Sequence, residues 1–102
     1  MAAPSPGREV PFDLPTLIEI CQRHGVTMVG LVGSMARGEA TDRSDIDLIV
    51  RFAQPISLIG LISLEQELSA ALGRQVDLLT ESALSPYLRD RILRDMQVVY
   101  AA

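Results

Sequence analysis

The chain predicts an α/β (α+β) fold, a small mixed β-sheet with helices packed on one face. Three observations carry this. Segments of helical and strand character alternate along the whole chain, which is the pattern of a sheet with covering helices. The strand-like runs are short, apolar and bounded by glycine or turn residues. At 102 residues there is room for one domain with one core.

The elements follow in order. Residues 1–11 hold prolines and a glycine without an apolar signal-peptide core; they read as a flexible leader, leaving 12–102 as a single domain. Asp13 and Pro15 open a helix over 13–24 whose Leu14, Leu17, Ile18 and Cys21 recur at i, i+3, i+4, i+7, and Gly25 closes it. Residues 26–32 are β-rich and end at Gly33, where the backbone must turn sharply. A short helix over 34–39 and an exposed loop with Gly38, Thr41, Asp42 and Ser44 lead to a second strand over 45–52. That strand alternates only at Asp45-Ile46-Asp47 and is wholly apolar afterwards, so it belongs in the middle of the sheet.

A long helix then runs from Ser57 to Gly73, with Leu58, Leu61, Ile62, Leu68, Ala71 and Leu72 inward and Glu65-Gln66-Glu67 outward. Its Leu58-Ile59-Gly60-Leu61-Ile62 segment is more apolar than one small sheet can cover, so part of it faces a partner. Residues 75–79 form a third strand, 85–96 a last helix with Pro86 in its first turn, and Val98-Val99-Tyr100 an edge strand or tail. Tyr87 and Tyr100 read as half-buried packing residues.

Composition narrows the function. No run of eighteen apolar residues occurs, which excludes a membrane-spanning helix and, with the leader, points to the cytoplasm. A formal charge of −4 argues against a domain that binds duplex nucleic acid directly. The nine basic residues are all Arg, so no lysine can serve a phosphate in the Walker manner. Cys21 falls on an apolar helical stripe and reads as a core side chain.

The informative pattern is Gly33-Ser34, ten residues, then Asp45-Ile46-Asp47. Backbone N–H groups at the start of the helix that follows Gly33 point at an anion, and phosphate is the natural guest. Asp45 and Asp47 lie two residues apart on a strand, a rise of roughly 6.6 Å, and share a face. Carboxylates so arranged can hold Mg²⁺ ions about 3.5–4 Å apart, the arrangement that clamps attacking and leaving oxygens in phosphoryl chemistry. Asp77, flanked by Val76 and Leu78-Leu79, is the natural third ligand. Three close carboxylates repel and raise one another's pKa unless cations balance them. The bland alternatives are a turn-closing Asp45, a solvated Asp47 and an exposed edge-strand Asp77. Spacing alone suits a two-metal phosphatase or nuclease as well as a nucleotidyl transfer enzyme.

The segments Gly33-Ser34-Met35-Ala36-Arg37-Gly38-Glu39, Ser44-Asp45-Ile46-Asp47-Leu48-Ile49-Val50 and Val76-Asp77-Leu78-Leu79 resemble the minimal nucleotidyltransferases of the polymerase-beta-like superfamily. The likeness runs from about residue 12 to 100. It implies a nucleotidyltransferase fold, binding of ATP with Mg²⁺ (two ions), and transfer of AMP with release of pyrophosphate. It also implies an antitoxin that silences a HEPN-type toxin ribonuclease by adding AMP to a side chain, commonly a tyrosine. By the same resemblance, Gly33 and Ser34 match the nucleotide-phosphate loop, Asp45 and Asp47 the metal pair, and Asp77 the third carboxylate.

Arg37, three residues past Ser34, can reach a phosphate and Glu39 can orient it; the competing reading is a solvated helix face. Arg43 reads as an exposed loop residue, His24 as a helix-end cation, and Arg89, Arg91 and Arg94 among Asp90 and Asp95 as a solvated, salt-bridged face. Two other functions stay open at this stage: a non-catalytic antitoxin that occludes its partner, and transfer to a small molecule or RNA.

Overall fold

The computed structural model describes residues 12–39 and 44–102. The expected leader over 1–11 and the loop residues Thr41, Asp42 and Arg43 lie outside the described residues. The elements are α1 (Leu14–Arg23), β1 (Val26–Val32), α2 (Ser34–Arg37), β2 (Ile46–Phe52), α3 (Leu58–Leu72), β3 (Val76–Thr80), a 3₁₀ turn (Glu81–Ala83), α4 (Pro86–Asp95) and β4 (Gln97–Ala101).

Local chemistry sets the helix ends. The Asp13 carboxylate accepts from the Thr16 N–H at 3.2 Å and the Thr16 hydroxyl at 2.7 Å, which satisfies an otherwise orphan donor of α1. The Ser57 hydroxyl accepts from the Gly60 N–H at 3.0 Å to start α3, and Gly73, left-handed at φ +67°, ends it.

The four strands stand in the order β3-β2-β1-β4. β1 pairs antiparallel with β2 and with β4, whereas β2 and β3 are parallel and joined by the α3 crossover. The second strand is central, as its apolar run predicts, and residues 97–101 form an edge strand. The register aligns Val32, Asp47 and Asp77 as one row across three strands, with Leu31, Leu48 and Leu78 as the next. Because successive side chains alternate faces, the two rows point to opposite sides.

The leucine row belongs to the main core, where Leu17, Ile20 and Cys21 of α1 and Leu64 and Leu68 of α3 cover β1, β2 and β3. Burial pushes the Cys21 thiol up to about 12, so it is an inert packing group. The expectation of helices on one face holds for α1 and α3 but not for α4. Met28, Val32 and Ile49 on the other face form a second, smaller core that Leu84 joins and that Ile92, Leu93 and Met96 cover. The reason is composition: that face carries too much apolar surface to be left in water. Gly30 permits the close approach, since a Cβ there would lie 2.2 Å from the Met96 sulfur.

α3 departs from expectation in its inward stripe. Leu64 and Leu68 are buried, while Leu58, Ile59, Ile62 and Ala71 are exposed, Leu58 at 72% and Ile59 at 80%. A helix apolar on most sides has more than one candidate stripe, and the sheet selects the one through Leu61, Leu64 and Leu68. Glu65 and Glu67 are not simply solvated. Glu65 accepts the Leu78 N–H of edge strand β3 at 2.9 Å, and Glu67 meets His24 at 2.8 Å and Arg23 at 3.2 Å, tying α3 to the end of α1. Those partners draw the Glu67 carboxyl below its usual range, the His24 hydrogen bond foremost. Tyr100 is half-buried as expected, but Tyr87, in the first turn of α4, is 95% exposed.

Candidate active site

The site is built where β1 ends. Gly33 turns the chain at φ +68° directly into α2, a conformation that side chains with a Cβ resist. A Cβ on Gly33 would stand 3.0 Å from Asp47 Oδ2, so the bare backbone is also what lets the chain pass close to that carboxylate. Ser34 is the first residue of α2.

Asp47 and Asp77 are register partners on adjacent parallel strands, both half-buried on the same face of the sheet. The Asp47 carboxyl is held above its ordinary range: first by burial, then by the charge of Asp77, by the side-chain hydrogen bond between the two acids, and by the charge of Asp45. Asp45 itself is exposed, one residue before β2 begins. The structure thus brings Asp47 and Asp77 into contact and sets Asp45 within electrostatic range. Among the described residues, no group of three or more His, Cys, Asp or Glu side chains is gathered tightly enough to hold a metal ion alone. The approach to Asp45 is anchored from below by Arg74, whose guanidinium donates to the Ser44 carbonyl at 2.6 Å, and by the Ile46 N–H donating to the Gln75 carbonyl at 2.9 Å.

Two half-buried carboxyls placed side by side repel when both are ionised, and a proton or a divalent cation is what relieves that repulsion. The donor set therefore fits Mg²⁺: hard oxygen ligands beside an open glycine turn.

A cleft of about 600 Å³ opens in front of Asp47, which lines it with Val32, Gly33 and Arg37, whereas Asp45 and Asp77 are not among its lining residues. A volume of that order suits a nucleotide-sized ligand. Leu79 of β3, on the sheet face that carries Asp47, also lines the cleft, and α4 contributes Leu88, Arg91, Ile92 and Asp95. Arg37 lines the cleft while its Nε donates to Glu39 at 2.9 Å, both side chains being exposed. The α4 wall was not legible as part of a site: the sequence reading leaves Arg91 and Asp95 on a solvated face. The available signal was their spacing, since 88, 91, 92 and 95 recur at i, i+3, i+4, i+7 and share one face.

Residues 14–99 match the nucleotidyltransferase domain family. A protein of Methanocaldococcus jannaschii named as a protein adenylyltransferase is 43% identical over 79 residues, covering 78% of this chain and 85% of that protein. The protein adenylyltransferase MntA of Thermococcus cleftensis is 43% identical over 82 residues, covering 80% of this chain and 81% of its own length. A crystal structure of a variant MntA–HpeT toxin–antitoxin complex superposes with a TM-score of 0.74 at 25% identity, over 88% of this chain and 73% of that one.

Proposed function

This chain belongs to the nucleotidyltransferase domain family, in its minimal branch, and from that premise we propose that it transfers AMP from ATP to a hydroxyl of a protein partner, acting as an antitoxin. The partner is a HEPN-type toxin ribonuclease and the acceptor a tyrosine. The naming of the relatives as protein adenylyltransferases supports the reaction, and the toxin–antitoxin complex supports the pairing. Such a pair would work in the cytoplasm, where a ribonuclease meets its RNA. Among the described residues no helix is long and apolar enough to cross a membrane.

The observation that carries the reading is the contact between Asp47 and Asp77 beneath the Gly33 turn, in a chain of this family. Asp45, Asp47 and Asp77 would hold two Mg²⁺ ions, which neutralise the polyphosphate and acidify the acceptor hydroxyl when bound. Gly33, Ser34 and the N–H groups that open α2 grip the β- and γ-phosphates, and Arg37 adds a guanidinium at the same end. The acceptor oxygen attacks the α-phosphorus in line with the bridge to the β-phosphate. That bridge breaks, pyrophosphate leaves, and the hydroxyl proton passes to a site carboxylate.

Incubating the protein with its toxin partner and Mg-ATP should add the mass of AMP to the toxin, on a tyrosine by fragment-ion mapping. The Asp45→Ala variant should add none. A toxin that stays unmodified yet is still silenced by the variant would replace this reading with occlusion.

A further inference from the structure

We propose that Arg91 is a binding residue for the polyphosphate of the nucleotide, held on the α4 wall of the cleft that Gly33 and Asp47 also line. The inference rests on the reading of the cleft as an ATP site, and extends that site to a helix not assigned to it. The chain has no lysine, so apart from metal and backbone N–H groups only arginine can meet a polyphosphate. Most described arginines are engaged. Arg23 pairs with Glu67, Arg51 and Arg89 both pair with Glu81, Arg37 pairs with Glu39, and Arg74 donates to the Ser44 carbonyl. Among the described residues, Arg91 and Arg94 make no ion pair, and of these two only Arg91 lines the cleft.

The placement follows from packing. Ile92 and Leu93 seat α4 on the Met28, Val32 and Ile49 face, the face that also carries Asp47. Leu88, Arg91, Ile92 and Asp95 then form one helical stripe toward the cleft. A guanidinium with its donors free offers a planar fork to phosphate oxygens, and a phosphate that accepts it replaces water on both partners. Glu39 already occupies one edge of the Arg37 guanidinium, so Arg91 is the less encumbered cation of the pair that lines the cleft.

The test is calorimetric titration of the full chain with α,β-methylene ATP and, separately, with AMP, each with Mg²⁺ present. Arg91→Gln should weaken the triphosphate analogue by about tenfold or more, the scale of a lost charge-assisted hydrogen bond, and leave AMP within about twofold. Arg91→Lys should recover part of the loss, and Arg94→Gln should change neither titration. Arg91 is exposed, so its variants should melt with the wild type. Unaltered analogue binding by Arg91→Gln overturns the inference and leaves the ATP site standing, as does an equal loss for both ligands. A wild-type chain that takes up no Mg-analogue overturns both.

Discussion

The two faces of the sheet are built for different ends. On the α1 and α3 side every strand offers aliphatic side chains to two long helices, and Leu17, Leu48, Leu64, Leu68 and Val76 are wholly shielded from water. On the α4 side the apolar cluster is small, and the row above it holds Asp47 and Asp77 under a glycine turn. Alternation along a strand lets one backbone serve both, since Leu48 and Asp47 are neighbours in sequence and face apart. One face stabilises the domain while the other bears groups that repel each other, and the site is tolerated because the opposite face supports it.

The sharpest way to break this division is through the large core. Leu64→Ala, at a fully buried position, should cost about 2–5 kcal/mol in denaturant melts while leaving nucleotide affinity unchanged in the protein that stays folded. A parallel loss of affinity would show that the faces are coupled. Gly33→Ala should do the reverse. The left-handed backbone costs roughly 1–2 kcal/mol with a Cβ present, and the added methyl presses on Asp47 Oδ2, so nucleotide affinity should fall more than stability does. Asp13→Ala removes the cap of α1, far from the cleft, and should cost about 1 kcal/mol with no effect on binding.

The smallest effect expected is that of charge on the site face. Asp47 holds its proton more tightly in the folded chain than in the unfolded one. Its stabilising contribution is therefore complete below the unfolded pKa of about 3.9 and is lost as pH rises through the higher folded value. Without divalent cations, Asp47→Asn should melt slightly above the wild type at pH 7, and the gap should close in acid. Saturating Mg²⁺ with nucleotide should reverse the order, because only the wild type gains from binding.

The face that carries the carboxylates was legible from the sequence because Asp45-Ile46-Asp47 states its own period and the apolar run after it marks a central strand. The order of the other strands, β3-β2-β1-β4, came from the structure. What was not legible is the cover of that face. α4 mixes Arg89, Arg91 and Arg94 with few apolar residues, and its own periodicity cannot say which surface it meets. α3 fails for the opposite reason: with apolar residues at 58, 59, 61, 62, 64 and 68, the choice of stripe belongs to the sheet. The tight three-acid grouping expected from Asp45, Asp47 and Asp77 resolves into a touching pair plus an exposed neighbour, since Asp45 precedes the ladder that fixes the other two. That these acids carry the chemistry remains the proposal on which the function rests.

Titration of the chain with a non-transferable ATP analogue, with and without Mg²⁺, in wild type and in Asp47→Asn, bears most directly on that claim. Tight uptake by the wild type only when Mg²⁺ is present, and a loss of about a hundredfold or more in the variant, is the predicted result, on the scale of several kcal/mol for metal-borne charge stabilisation. Equal uptake by both proteins, or uptake indifferent to Mg²⁺, would contradict it.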